Sequence, residues 1–163
     1  MTSAPPLFPH ATKGGCDGDG DGDGKIVGQR TLIVIDTNIV LDVFVFSDAA
    51  AVPLRQALAS TALDWLATLA MRQELARVLA YPQIVLRLNF YKRTATDVLA
   101  AFDQHSRIVD AAPAAAMRCR DPDDQKFIDL AFQHQALLLS KDNAVLAMAN
   151  RLRAAGSHVQ RAL

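Results

Sequence analysis

A three-layer α/β/α sandwich on a mostly parallel sheet is the fold this sequence predicts, and two observations predict it. Short apolar runs, Thr31 to Ile35 and Ala136 to Leu139, have the β-branched and aliphatic character of strands buried on both faces. They alternate along the chain with longer segments of helical periodicity, the order that a parallel sheet with helical crossovers requires. Seven of the eight glycines precede residue 29.

The elements follow in order. Thr31 to Asp36 reads as the first buried strand, and Asn38 to Phe46 and Pro53 to Ser60 as helices. Leu63 to Ala67 is a short strand. Thr68 caps a helix that runs to Leu79 and is stopped by Tyr81-Pro82. Thr94 to His105 is helical, and Arg107 to Asp110 a short strand. Asp121 caps a helix to His134, with Pro122 at its first position and acids in its first turn, where the helix dipole favours them. Leu137 to Ser140 is a strand, Asn143 to Ala155 a helix ended by Gly156, and His158 to Arg161 a last edge strand.

Residues 1–29 differ from the rest. Pro5, Pro6 and Pro9 precede Gly14-Gly15 and the alternating run Asp17 to Gly24, which offers nothing to bury and is expected to be a disordered tail. A calcium loop of the EF-hand type needs flanking helices and an acid at its twelfth position, and neither is present. Residues 30–163 are the expected folded domain. They hold 15 bases and 13 acids, a balance too even to argue for or against a nucleic-acid partner. No uncharged apolar run approaches the ~18 residues of a membrane span, the N-terminus lacks the pattern of a secretory signal, and Cys16 and Cys119 form no framework, so a reducing cytoplasm is expected. The glycine distribution also removes phosphate loops, dinucleotide fingerprints and Gly-flanked nucleophilic serines from the folded part.

Four carboxylates stand where an acid is costly. Asp36 closes the first strand and Asp142 follows the strand at Leu137. Asp124 shares a helical face with Phe127, Ile128 and Ala131, and Glu74, the only glutamate of the chain, borders the stripe Met71, Leu75, Val78 and Leu79. Acids gathered at the carboxyl ends of parallel strands lose hydration and repel one another, and a cation is the usual reason they remain ionised. Each also has a plainer reading. Asp36, Asp121 and Asp142 can serve as helix caps, and Glu74 can pair at the surface with Arg72 or Arg77. Thr37 and Asn38 can orient Asp36 or form a tight turn, Asp121 is an outer member of the group, and Asp123 faces water. Hard carboxylate oxygens suit Mg²⁺ or Mn²⁺, which lower the pKa of bound water and offset charge on a phosphodiester under attack. Arg72, Arg120, Lys126 and Lys141 lie near enough in sequence to guide a phosphate backbone.

Together Ile33-Val34-Ile35-Asp36-Thr37-Asn38, Gln73-Glu74-Leu75, Asp121-Pro122-Asp123-Asp124-Gln125-Lys126-Phe127-Ile128 with Ala131, and Leu138-Leu139-Ser140-Lys141-Asp142 resemble the PIN-domain family of metal-dependent nucleases over about residues 31–150. The Asp-Pro-Asp-Asp stretch looks most like the branch of bacterial toxins from toxin–antitoxin pairs. The resemblance implies Asp36, Glu74, Asp124 and Asp142 as metal ligands, Mg²⁺ or Mn²⁺ as cofactor, single-stranded RNA as substrate, an antitoxin protein as partner and a homodimer. One departure stands out: relatives commonly carry Thr-Gly-Asp before the last acid, and here it is Ser140-Lys141-Asp142. Two rivals follow from the same residues. One is a degenerate domain that binds RNA or protein without cutting. The other is a phosphatase of the haloacid-dehalogenase type, which needs a second Asp where this chain has Asn38.

Overall fold

The computed structural model describes residues 30–163; the expected N-terminal tail lies outside them. Five strands, β1 (Thr31–Ile35), β2 (Leu63–Ala67), β3 (Ser106–Ile108), β4 (Leu137–Leu139) and β5 (His158–Gln160), form one all-parallel sheet in the order β3-β2-β1-β4-β5. The helices are α1 (Thr37–Phe44), α2 (Val52–Ala59), α3 (Leu69–Leu79), α4 (Pro82–Phe90), α5 (Ala95–His105), α6 (Gln125–His134), α7 (Asn143–Leu146) and α8 (Ala149–Ala154). The chain steps outward from β1 to β2 and β3, then crosses back to lay β4 on the other side of β1. Right-handed crossovers therefore put α1–α5 on one face and α6–α8 on the other. The expected three layers are present.

The centre of the sheet is dry. Ile33, Val34, Leu66, Leu138 and Leu139 are fully buried, as are Ile128 and Ala131 on the inward face of α6. Trp65 of β2 packs edge-on to Phe102 of α5, ring centroids 4.9 Å apart, which fixes α5 against the sheet. Strand β1 pairs with β2 and β4 on its two sides, so the reversal of strand order falls between β1 and β4. In an open parallel sheet that reversal opens a crevice at the carboxyl ends of the two strands. Asp36 and Ser140 are the first residues past those ends.

Four elements differ from the sequence reading. Pro82 does end α3, but it also starts α4: Tyr81 is extended (φ −65°, ψ 137°), and Pro82 occupies the first turn of a new helix through Phe90. The expected helix from Asn143 to Ala155 is two helices. At the break the Met148 N–H bonds to Val145 O, three residues back, and tightens the turn between α7 and α8. The third strand is Ser106–Ile108, two residues earlier at its end than expected, and the helix expected from Asp121 opens with a 3-10 turn over Pro122–Asp124. Gly156 ends α8 at φ +87°, a conformation that only glycine adopts cheaply. Among the described residues no single helix is long and apolar enough to cross a membrane. The bent pair Thr37–Phe44 and Ala49–Ala59 passes on length and composition alone, and its apolar side chains lie largely in the core.

Candidate metal centre

The crevice between β1 and β4 collects five acids from four separate elements. Asp36 is 3% exposed. Although it stands at the N-cap position of α1, its carboxylate makes no capping bond and turns across the crevice, where Oδ2 accepts from Ser140 Oγ at 2.6 Å. Ser140 Oγ in turn accepts from the Asp142 N–H at 3.1 Å. One buried hydroxyl thus ties the end of β1 to the loop after β4. Burial raises the pKa of Asp36, and the Glu74 charge adds to the rise. The Ser140 hydroxyl opposes it.

Asp142 also has local work. Its Oδ1 accepts from Ala144 N at 2.7 Å and caps α7. Asp121 likewise caps the turn at Pro122 by accepting from Asp123 N at 3.0 Å. Capping explains why both chain segments bend where they do, but each carboxylate has a second oxygen. Asp121, Asp124 and Asp142 bring one oxygen each to within 4.8 Å of one another.

Asp124 sits in the middle. Its Oδ2 is buried and has no hydrogen-bond partner. Burial, then the charges of Asp36, Asp142, Asp121 and Glu74, push its carboxyl up to about 7. A buried oxygen left without a donor costs about 1–3 kcal/mol, more when charged, unless something supplies positive charge. A span of 4.8 Å compares with roughly 4.2 Å between opposite ligands of an ion with ~2.1 Å bonds to oxygen. The donor set is all hard oxygen, so these residues fit a Mg²⁺- or Mn²⁺-like cation.

Glu74 borders the centre from α3. Its Oε2 accepts from Thr37 Oγ1 at 2.5 Å, and its Oε1 is paired with Lys126 Nζ at 2.8 Å. Its partner is therefore neither Arg72 nor Arg77; Arg72 is engaged by Asp103. The Thr37 side chain is buried and orients Glu74, while the nearby backbone N–H groups of Thr37 and Asn38 lower the pKa of Asp36. Asn38 is exposed on the first turn of α1, and Asp123 faces water as expected. Lys141 turns away from the acids to pair with Asp42 of α1.

Sequence reasoning passed over two positioning side chains. Ser140 looked like part of a departure from Thr-Gly-Asp, yet its hydroxyl is the link between Asp36 and Asp142. Gln125 accepts from Cys119 N at 2.6 Å and donates to Met117 O and to Asp129 Oδ1, so it staples the loop leading into Asp121 onto α6. A Gln and an Asp four apart on one helix face, Gln125 and Asp129, were the available sign.

No curated protein sequence matches the chain. A family model for the PIN domain matches residues 32–144, which spans β1 through the first turn of α7 and includes all five acids. With the switch-point crevice and its acids in place, the chain belongs to the PIN-domain family.

Proposed function

We propose that the protein is a Mg²⁺- or Mn²⁺-dependent endoribonuclease that cuts single-stranded RNA, acting as the toxin of a toxin–antitoxin pair with an antitoxin protein as its partner. PIN domains are generally metal-dependent nucleases. The observation that carries the reading is the orphaned, buried Oδ2 of Asp124 facing four further acids. Asp121, Asp124 and Asp142 would hold the cation, with Asp36 beside them and Glu74 closing the acidic wall. A cation there would lower the pKa of water and offset negative charge on the phosphodiester. The chain's own contribution is orientation: Ser140 fixes the Asp36 carboxylate, Thr37 fixes Glu74, and the caps at Asp121 and Asp142 hold their free oxygens toward Asp124. The test is incubation of the purified protein with mixed RNAs, with and without Mn²⁺, beside Asp36→Asn. Cleavage that needs both Mn²⁺ and Asp36 is expected. Metal binding without cleavage would leave a non-catalytic binding domain.

A homodimer is part of the same proposal. On α4 the side chains of Leu86 and Phe90, four residues apart, are 70% and 77% exposed, and Tyr81 and Val85 extend the apolar row. A row of that kind is costly to leave in water and suits a second copy. Sedimentation should show a dimer at micromolar concentration that Leu86→Glu with Phe90→Glu converts to monomer. A wild-type protein that sediments as a monomer would refute the assignment.

A further inference from the structure

Asp36 is held by the Ser140 hydroxyl, and the other four acids of the centre fall into two groups that differ in the positive charge beside them. Asp121, Asp124 and Asp142 form an oxygen cradle, and among the described residues no Lys or Arg is ion-paired with it. Glu74 is different, because both of its oxygens are occupied by donors. The donor on Oε1 is Lys126, which approaches from the first turn of α6, in the helix layer opposite to that of Glu74 on α3. Its ammonium is pinned on three sides: by Glu74 Oε1 at 2.8 Å, by the Asp123 carbonyl at 2.6 Å, and by the Phe127 ring, whose centroid is 5.0 Å away. The two side chains are 27% and 18% exposed, so the pair is partly withdrawn from water and better fixed than an ordinary surface pair. Arg72 and Lys141, the other bases near the motifs with assigned partners, are held by Asp103 and Asp42.

We propose that Lys126 is a built-in counter-charge standing where a second divalent cation would bind, so that the centre loads a single Mg²⁺ or Mn²⁺ in the Asp121–Asp124–Asp142 cradle. The inference rests on the metal-dependent reading above and narrows it. A second divalent ion at Glu74 would have to displace the ammonium from a carboxylate and a carbonyl, then share the crevice with it against Coulomb repulsion. The ammonium instead stays as the second positive charge of the site. It is a point charge with three rotatable donors, two of them used by protein oxygens, which leaves one for a phosphate oxygen.

Calorimetric titration of the full chain with Mn²⁺ alone tests this without reference to catalysis. The wild type should bind one Mn²⁺ per chain. Lys126→Met keeps the apolar stem over Phe127 but removes the charge, and it should bind two. Lys126→Met combined with Glu74→Gln removes both charges and should return to one, which also serves if the single variant folds poorly. Two ions in the wild type overturn the inference, as does a folded Lys126→Met protein that still binds one; either result leaves the metal-dependent nuclease reading standing. A wild type that takes up no Mn²⁺ removes that reading and the inference with it.

Discussion

Asp124→Asn is expected to abolish Mn²⁺ uptake while making the metal-free protein more stable above neutral pH. Loss of groups that merely support a ligand typically costs 10- to 100-fold in metal affinity or activity, so removing the central carboxylate should cost about 100-fold or more in RNA cleavage. The stability effect has the opposite sign. The Asp124 carboxyl is pushed from 3.8 up to about 7 in the fold by burial and by its four acidic neighbours. Between those values the folded chain holds a proton that the unfolded chain has released, so this group's contribution is full below pH 4 and is lost as the pH rises through 7. Asn does not ionise and escapes that loss. In EDTA at pH 8 the variant should exceed the wild type by about 1–2 kcal/mol, a figure reduced for solvent screening at a half-buried group, and the two should converge at pH 4. Saturating Mn²⁺ should reverse the order, because an ion at 100 times its Kd stabilises the wild type by about 2.7 kcal/mol. Thermal denaturation at the two pH values, with EDTA and with Mn²⁺, checks all of this. An Asp124→Asn protein less stable than wild type in EDTA at pH 8 would contradict the account of the site.

Ser140→Ala should have the second-largest effect for the size of the change. The Ser140 side chain is fully buried, and its one hydroxyl serves two partners, Asp36 Oδ2 and the Asp142 N–H. Alanine leaves both without that partner in a place water does not reach, at a cost of about 1–3 kcal/mol. The Ser140 bond lowers the pKa of Asp36 against burial, so its loss raises that pKa further. The deficit should therefore widen as the pH rises and Asp36 is forced to ionise, and narrow in acid. Mn²⁺ affinity should fall about 10- to 100-fold because the carboxylate loses its orientation. Urea denaturation at pH 5 and pH 8, paired with calorimetric Mn²⁺ titration, would show it. A variant within experimental error of wild type in both would remove Ser140 from the centre.

What could be read from the residues alone was whatever their neighbours encode. Strands β1 and β4 announced themselves by apolar runs, β2 by one interrupted only by Asp64, and α6 by its inward residues Phe127, Ile128 and Ala131, the last three buried in the fold. Capping at Asp121 and Asp142 was legible for the same reason, since a cap bonds within two residues of itself. Helix α4 was missed because a proline both stops one helix and opens the next, and the pattern up to Tyr81 shows only the stop. The bonds that orient the centre are of another kind. Ser140 reaches Asp36 across 104 positions, and Lys126 reaches Glu74 across 52. No periodicity carries such a pairing, which exists only after the sheet has fixed its strand order. The Ser-Lys-Asp departure sets Lys141 beside Asp142 in sequence, yet its side chain pairs with Asp42.

That strand order has a bearing on when the pocket can exist at all. Strand β1 lies in register with β4, and Ile35 stands opposite Leu139. More than a hundred residues must be synthesised before Asp36 can meet Ser140, and contacts of such long separation form late because a large loop must close first. A growing chain that ends before residue 136 carries Asp36, Glu74 and Asp124 but lacks β4, the Ser140 hydroxyl and Asp142. On the ribosome, therefore, the acidic crevice assembles only after β4 and Asp142 have emerged and joined the sheet.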